Sequence, residues 1–78
     1  MILISINLEN GAQDVYEVNS YFIDRAAGLL FFKSEGEEVS VESSKQHMGY
    51  YVESVEIIGH NMCAMYQSIA GNGFVKNG

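Results

Sequence analysis

Ile2-Leu3-Ile4-Ser5-Ile6-Asn7-Leu8-Glu9-Asn10-Gly11 is the stretch from which the fold class of this chain is read. Ile2, Ile4, Ile6 and Leu8 alternate with Leu3, Ser5 and Asn7, and a period of two lines one face of a strand with apolar groups. Asn10-Gly11 then supplies residues that tolerate the left-handed backbone of a hairpin turn. Working outward, Val15 to Ile23 is rich in β-branched and aromatic residues and reads as the second strand. Asp24 to Gly28 reads as a turn closed by glycine and leads to Leu29-Leu30-Phe31-Phe32-Lys33. Ser34-Glu35-Gly36-Glu37 is a second tight connection, followed by the alternating Glu38-Val39-Ser40-Val41-Glu42.

Two later segments carry competing periods. Tyr50 to Ile58 is expected as a strand, because β-branched residues and tyrosines dominate it. Met48, Tyr51, Val52 and Val55 also fall at helical spacing after a Ser43-Ser44 cap. In the last third, Met62, Met65, Tyr66 and Ile69 sit at i, i+3, i+4 and i+7, with Asn61 to cap the start and Gly71 to end the helix. Met, Ala and Gln also suit a helix, so a short C-terminal helix is expected there. The other reading makes Gly59-His60-Asn61 a hairpin loop and Met62 to Ile69 a further strand. Gly73 to Lys76 reads as a short final strand or a free end, and Asn77-Gly78 as fraying.

The expected fold is therefore mainly β (α+β): one domain over residues 1–78, an antiparallel β-meander of four to five strands, open or closed into a small barrel, with a short C-terminal helix. Its expected core comprises Ile4, Ile6, Val18, Phe31, Val39, Val41, Val55, Ile57, Met65 and Ile69.

Composition excludes several classes. Seventy-eight residues make one domain at most. Ten acids against four bases give a net charge of -6 and a pI near 4.6. Phosphate-bound nucleic acid and anionic membranes need clustered Lys and Arg, whereas Arg25, Lys33, Lys45 and Lys76 are scattered. Neither is expected as a direct partner. One cysteine makes no intramolecular disulfide, and a hydrophobic content of 47% argues against disorder. Met1 to Leu8 lacks a basic leader, and Ala26 to Phe32 is too short a near-apolar run for a membrane span. A cytoplasmic, reducing setting is expected.

Chemistry is hard to assemble from what remains. His60 and Cys63 are spaced to hold one edge of a metal, but zinc wants four ligands and no partner pair is visible. Cys63 with His60 or His47 lacks any motif for a thiolate pair, the serines lack a nucleophile elbow, and Gly71-Asn72-Gly73 lacks the lysine of a phosphate loop. No enzyme activity, metal or cofactor is expected. Glu35, Glu37, Glu38 and Glu42 gather around one turn and read either as a patch for a basic partner or as a guard against edge-to-edge aggregation. Leu29 to Phe32, Tyr50-Tyr51 and Ile57-Ile58 put bulk on both faces of their strands, which predicts a closed barrel or burial against another protein. A homodimer with Tyr50 or Tyr51 in the contact is one such solution.

In size, acidity and lack of a catalytic motif, the chain resembles small phage-encoded inhibitors of host defence, of which the anti-CRISPR proteins are the best-known group. The resemblance is one of general character. It implies a non-catalytic inhibitor in a bacterial or phage-infected cell, docking on the basic, nucleic-acid-binding surface of a defence nuclease complex, with acids standing in for phosphates. The partner-binding residues expected on this reading are Glu35, Glu37, Glu38, Glu42, Tyr50 and Tyr51. Two other readings stay open: an oligomerising assembly domain, and a small-molecule binder built on Tyr50, Tyr51 and Tyr66.

Overall fold

A computed structural model describes residues 1–77. The chain is all β among these residues: β1 (Ile2–Leu8), β2 (Gln13–Val18), β3 (Tyr21–Asp24), β4 (Leu29–Ser34), β5 (Glu37–Glu42), β6 (Gln46–His47), β7 (Tyr50–Gly59), β8 (Met62–Ile69) and β9 (Gly73–Lys76). All pairings are antiparallel. The large sheet runs β2-β1-β7-β8-β9, with β6 paired to the start of β7, and the small sheet is the meander β3-β4-β5. Neither sheet closes into a barrel.

The core lies between the two inner faces. Ile4 and Ile6 of β1, Val55 and Ile57 of β7, and Ala64 and Tyr66 of β8 meet Leu30 and Phe32 of β4 and Val41 of β5. Phe74 of β9 is 1% exposed and among the largest fully buried side chains. Burying one such side chain stabilises by about 1.5–3 kcal/mol, so the sandwich rather than any single hairpin supplies the stability.

Four expectations are corrected. The C-terminal helix is instead strand β8, paired with β7 from Ser54↔Gln67 to Gly59↔Met62. The helical set straddles both faces of that strand: Met62 and buried Tyr66 share one face, and Met65 and Ile69 take the other. A helix there would have left the backbone edge of the ten-residue β7 unpaired, and strand pairing satisfies it. The four-to-five-strand meander is instead nine strands in two sheets: Val15 to Ile23 is two strands, Met62–Ile69 is a strand in place of the helix, and Gln46–His47 and Gly73–Lys76 add short ones. Asn19 and Ser20 break the first of these stretches, and the chain crosses from the large sheet to the small one.

That crossing shifts the alternation by one residue. Tyr16 and Val18 face the core before it, Tyr21 and Ile23 after it. The core list changes with it. Phe31 is on the outer face and only half-buried, Met65 is half-buried, and Ile69 is exposed. Their places are taken by Leu8, Leu30, Phe32, Val52, Ala64, Tyr66 and Phe74. A small barrel is not needed because two open sheets already cover each other's apolar face. The expected fraying at Gly78 lies outside the described residues; Asn77 donates its backbone N–H to Met65 O at 2.8 Å.

One end of the sandwich is closed by glycine. Gly73 has φ +71°, and a Cβ there would stand 2.1 Å from Arg25 O. Its absence lets the β3–β4 turn approach β9 so closely that Phe74 N–H donates to Arg25 O at 2.9 Å.

Candidate protein-binding face

The outer face of the small sheet is built by register. Phe22, Phe31 and Ser40 form one row across β3, β4 and β5. Asp24, Leu29 and Glu42 form the row on one side, and Lys33 pairs with Glu38 on the other. Beyond them, Ser34↔Glu37 closes on the two-residue turn Glu35-Gly36, in which both residues have positive φ (52° and 82°), as the type I′ hairpin requires.

The centre of this face is aromatic. The Phe22 and Phe31 rings lie 5.2 Å apart at 43°, and Phe22 is 50% exposed. A shallow cleft of about 230 Å³ opens beside them, lined by Ser20, Tyr21, Phe22, Phe31, Phe32, Lys33 and Glu38. The tilted rings make a favourable aromatic contact with each other and leave apolar surface at the centre of the face.

The frame is acidic. Asp24, Glu35, Glu37, Glu38 and Glu42 are half of the chain's ten acids. Glu42 is tied to Lys45 by an exposed pair at 3.3 Å, and Lys33 stands opposite Glu38 across the strands. Asp24 Oδ1 accepts the Ala27 backbone N–H at 3.1 Å, which fixes its turn. Arg25 is turned away, its guanidinium 5.8 Å from the centre of the Tyr66 ring. Among the described residues Glu35 and Glu37 make no ion pair, so the hairpin tip keeps its full negative charge.

Of the four glutamates expected from the sequence, Glu38 and Glu42 thus border this face, each beside a lysine, while Glu35 lies in the turn and Glu37 takes the opposite register position beside it at the hairpin tip. Tyr50 and Tyr51 are not on this face. They begin β7 of the large sheet, are 44% and 48% exposed, and pair with His47 and Gln46 of the neighbouring hairpin. Tyr66 is in the core, apart from both. His60 and Cys63 are exposed around the β7–β8 turn, and no group of three potential metal ligands forms among the described residues.

Phe22 is the residue that sequence reading missed. Continuing Tyr16 and Val18 as one strand would have turned Phe22 into the core. The signal was available: Tyr21 and Ile23 are an apolar pair out of phase with Tyr16 and Val18, across the turn-forming Asn19-Ser20.

A second polar cluster lies on the other sheet. His47 Nε2 is 2.7 Å from Asp14 Oδ2, with both side chains largely covered. The Asp14 carboxylate also acts on Tyr16: hydrogen bonding to it, burial and its charge together push the Tyr16 pKa from 10.0 up to about 12. Tyr16 in turn packs on Phe32 with ring centres 5.0 Å apart. The His47–Asp14 pair joins β6 to β2 across 33 residues of chain.

No family profile, curated protein or solved structure matches this chain.

Proposed function

We propose that this chain is a non-catalytic docking domain that seats the outer face of β3–β5 on a basic surface of another protein. A surface that normally holds nucleic acid has the required charge, and covering it would inhibit its owner. The observation that carries this reading is the Phe22–Phe31 pair, with Phe22 half exposed, bordered on its own face by Asp24, Glu38 and Glu42, with Glu35 and Glu37 at the hairpin tip beyond. Interfaces owe most of their affinity to a few aromatic anchors and much of their association rate to complementary charge at the rim. This face has both parts, and its acids sit at the rim, where they remain solvated and costless to fold.

The test is surface plasmon resonance against reconstituted RNA-guided nuclease complexes and other basic nucleic-acid-binding proteins, at low and high salt. Binding should weaken as salt rises. Glu35→Gln, Glu37→Gln, Glu38→Gln and Glu42→Gln together should slow association and flatten that dependence, whereas Phe22→Ala should speed dissociation. Wild-type protein that ignores every basic partner, or binding unchanged in both variants, would overturn the reading.

A further inference from the structure

The small sheet ends on β5 with its backbone open. β5 pairs with β4 alone, and alternate residues of an edge strand turn their N–H and C=O groups away from the sheet. The two-residue turn at Glu35-Gly36 makes Ser34↔Glu37 a hydrogen-bonded pair, and at the other end of the hairpin Ser43 N–H donates to Gly28 O at 2.8 Å. Between these ends Val39 and Val41 bond to β4, so Glu38, Ser40 and Glu42 direct their backbone groups outward. Lys45 N–H takes the Glu42 carbonyl at 3.2 Å, and among the described residues no hydrogen bond from another element fills the backbone of Glu38 or Ser40. Both residues are exposed.

The side chains of the same three residues decide what the edge accepts. Ser40 ends the row that holds Phe22 and Phe31, and Glu38 and Glu42 end the rows on either side of it. A second β5 laid antiparallel about Ser40 would set Glu38 against Glu42 twice, and like charges directly opposite are destabilising. The edge is thereby closed to its own copy, a common use of charge on an edge strand. The same two carboxylates favour a strand that brings bases to those positions. Glu38 makes no ion pair among the described residues, and Glu42 has only the exposed Lys45. The other edge strands offer less: β3 and β9 have four residues each, and β2 has six but opens at Gln13, Val15 and Glu17, with one acid.

We infer that β5 takes up an extended segment of a partner protein as a further antiparallel strand, with Lys or Arg opposite Glu38 and Glu42 and a large apolar residue opposite Ser40. The segment recognised therefore alternates: base, any residue, apolar, any residue, base. The residue opposite Ser40 exchanges both of its backbone bonds with it, and the small serine side chain leaves a large one room to lean across towards Phe31. Main-chain bonds supply affinity in this mode, and alternate side chains supply selectivity. The inference rests on the reading that this sheet docks on a basic partner, and specifies that the partner presents a strand.

The probe is the capped peptide Thr-Lys-Thr-Leu-Thr-Lys-Thr, added to isotope-labelled protein and followed by fast amide hydrogen exchange. With peptide at about ten times its dissociation constant, exchange at Glu38 and Ser40 should slow about tenfold, while Val15 and Glu17 on the β2 edge keep their rates. N-methylation of the leucine removes the donor to Ser40 O and should abolish binding. N-methylation of a neighbouring threonine, whose N–H points away from β5, should not. Exchanging both lysines for glutamate should abolish it too. Ser40→Pro removes an outward N–H and no ladder bond, so it should fold and lose the peptide; the methylated peptides make the same test on unmutated protein. A peptide that binds equally with either methyl group, that leaves Glu38 and Ser40 unprotected, or that does not bind would overturn the strand pairing. Basic proteins that still bind by surface plasmon resonance in that case would leave the docking reading standing without it, and their failure would remove both.

Discussion

His47 Nε2 stands 2.7 Å from Asp14 Oδ2 and so fastens the two-residue strand β6 to β2, an edge of the large sheet 33 residues earlier in the chain. Two residues of strand are too few to hold a hairpin by backbone pairing alone. The side-chain bond is what fixes it. His47→Ala should lower stability by about 1.5–3 kcal/mol, the worth of a hydrogen bond to a charged group. Urea unfolding measures it, and an unchanged midpoint would show the pair to be idle.

The same carboxylate gives the fold an alkaline limit. Tyr16 ionises near 10.0 when unfolded and near 12 when folded. Below the lower value both states hold the proton and stability does not depend on it. Between the two, only the folded state keeps the proton, so stability falls as pH rises through this window. Tyr16→Phe should remove that part of the slope. Urea midpoints taken across the window, compared between the two proteins, decide it.

Met48 occupies a left-handed position, φ 54°, beside Gly49 at φ 87° in the two-residue turn between β6 and β7. A side chain with a Cβ costs about 1 kcal/mol or more there, and Met48 is 70% exposed and anchors little. Met48→Asn, a residue that tolerates this backbone, should raise stability by up to about 1 kcal/mol. A thermal melt that moves down instead would mean the methionine has a packing role.

Gly73→Ala should be severe. It combines a positive φ with a Cβ aimed at a backbone oxygen that cannot move aside. Strain and overpacking together should cost at least about 3 kcal/mol. Gly36→Ala meets positive φ alone, with nothing within 4 Å, and should cost less. Equal losses at the two sites would remove the close-approach argument.

Neighbouring phenylalanines separate in the same way. Phe32 is 3% exposed and its truncation to Ala should cost about 3–5 kcal/mol. Phe31→Ala, on the outer face, should cost clearly less, and calorimetry on the two variants would show whether the order holds.

That pair also marks how far the sequence could be read. Strand type was legible in β1, β4, β5 and β7 because alternation, β-branching and glycine turns agree there. Which face of β4 points inward was not, since Leu29 to Phe32 is apolar on both sides and only the partner sheet decides. Residues 62–69 failed for a related reason: methionine and alanine carry weak strand preference, and pairing with β7 outweighed it. Of the candidate site, the glutamates were visible as a cluster in the sequence, while the aromatic centre depended on a one-residue shift at Asn19-Ser20.

The order of strands in the large sheet also sets a timetable. β1 pairs with β7, so Leu3 must wait for Ile58, and the whole meander β3-β4-β5 is threaded between them in sequence. The meander needs only neighbours a few residues away and can form while the rest of the chain is still open. Closing a loop of that length costs entropy that no local contact repays. The β1–β7 ladder is therefore expected to form late, leaving one edge of β1, with Ile4 and Ile6, unpaired until it does. On this order of events the small sheet, with its acids and its two phenylalanines, is expected to form before the domain that carries it is complete.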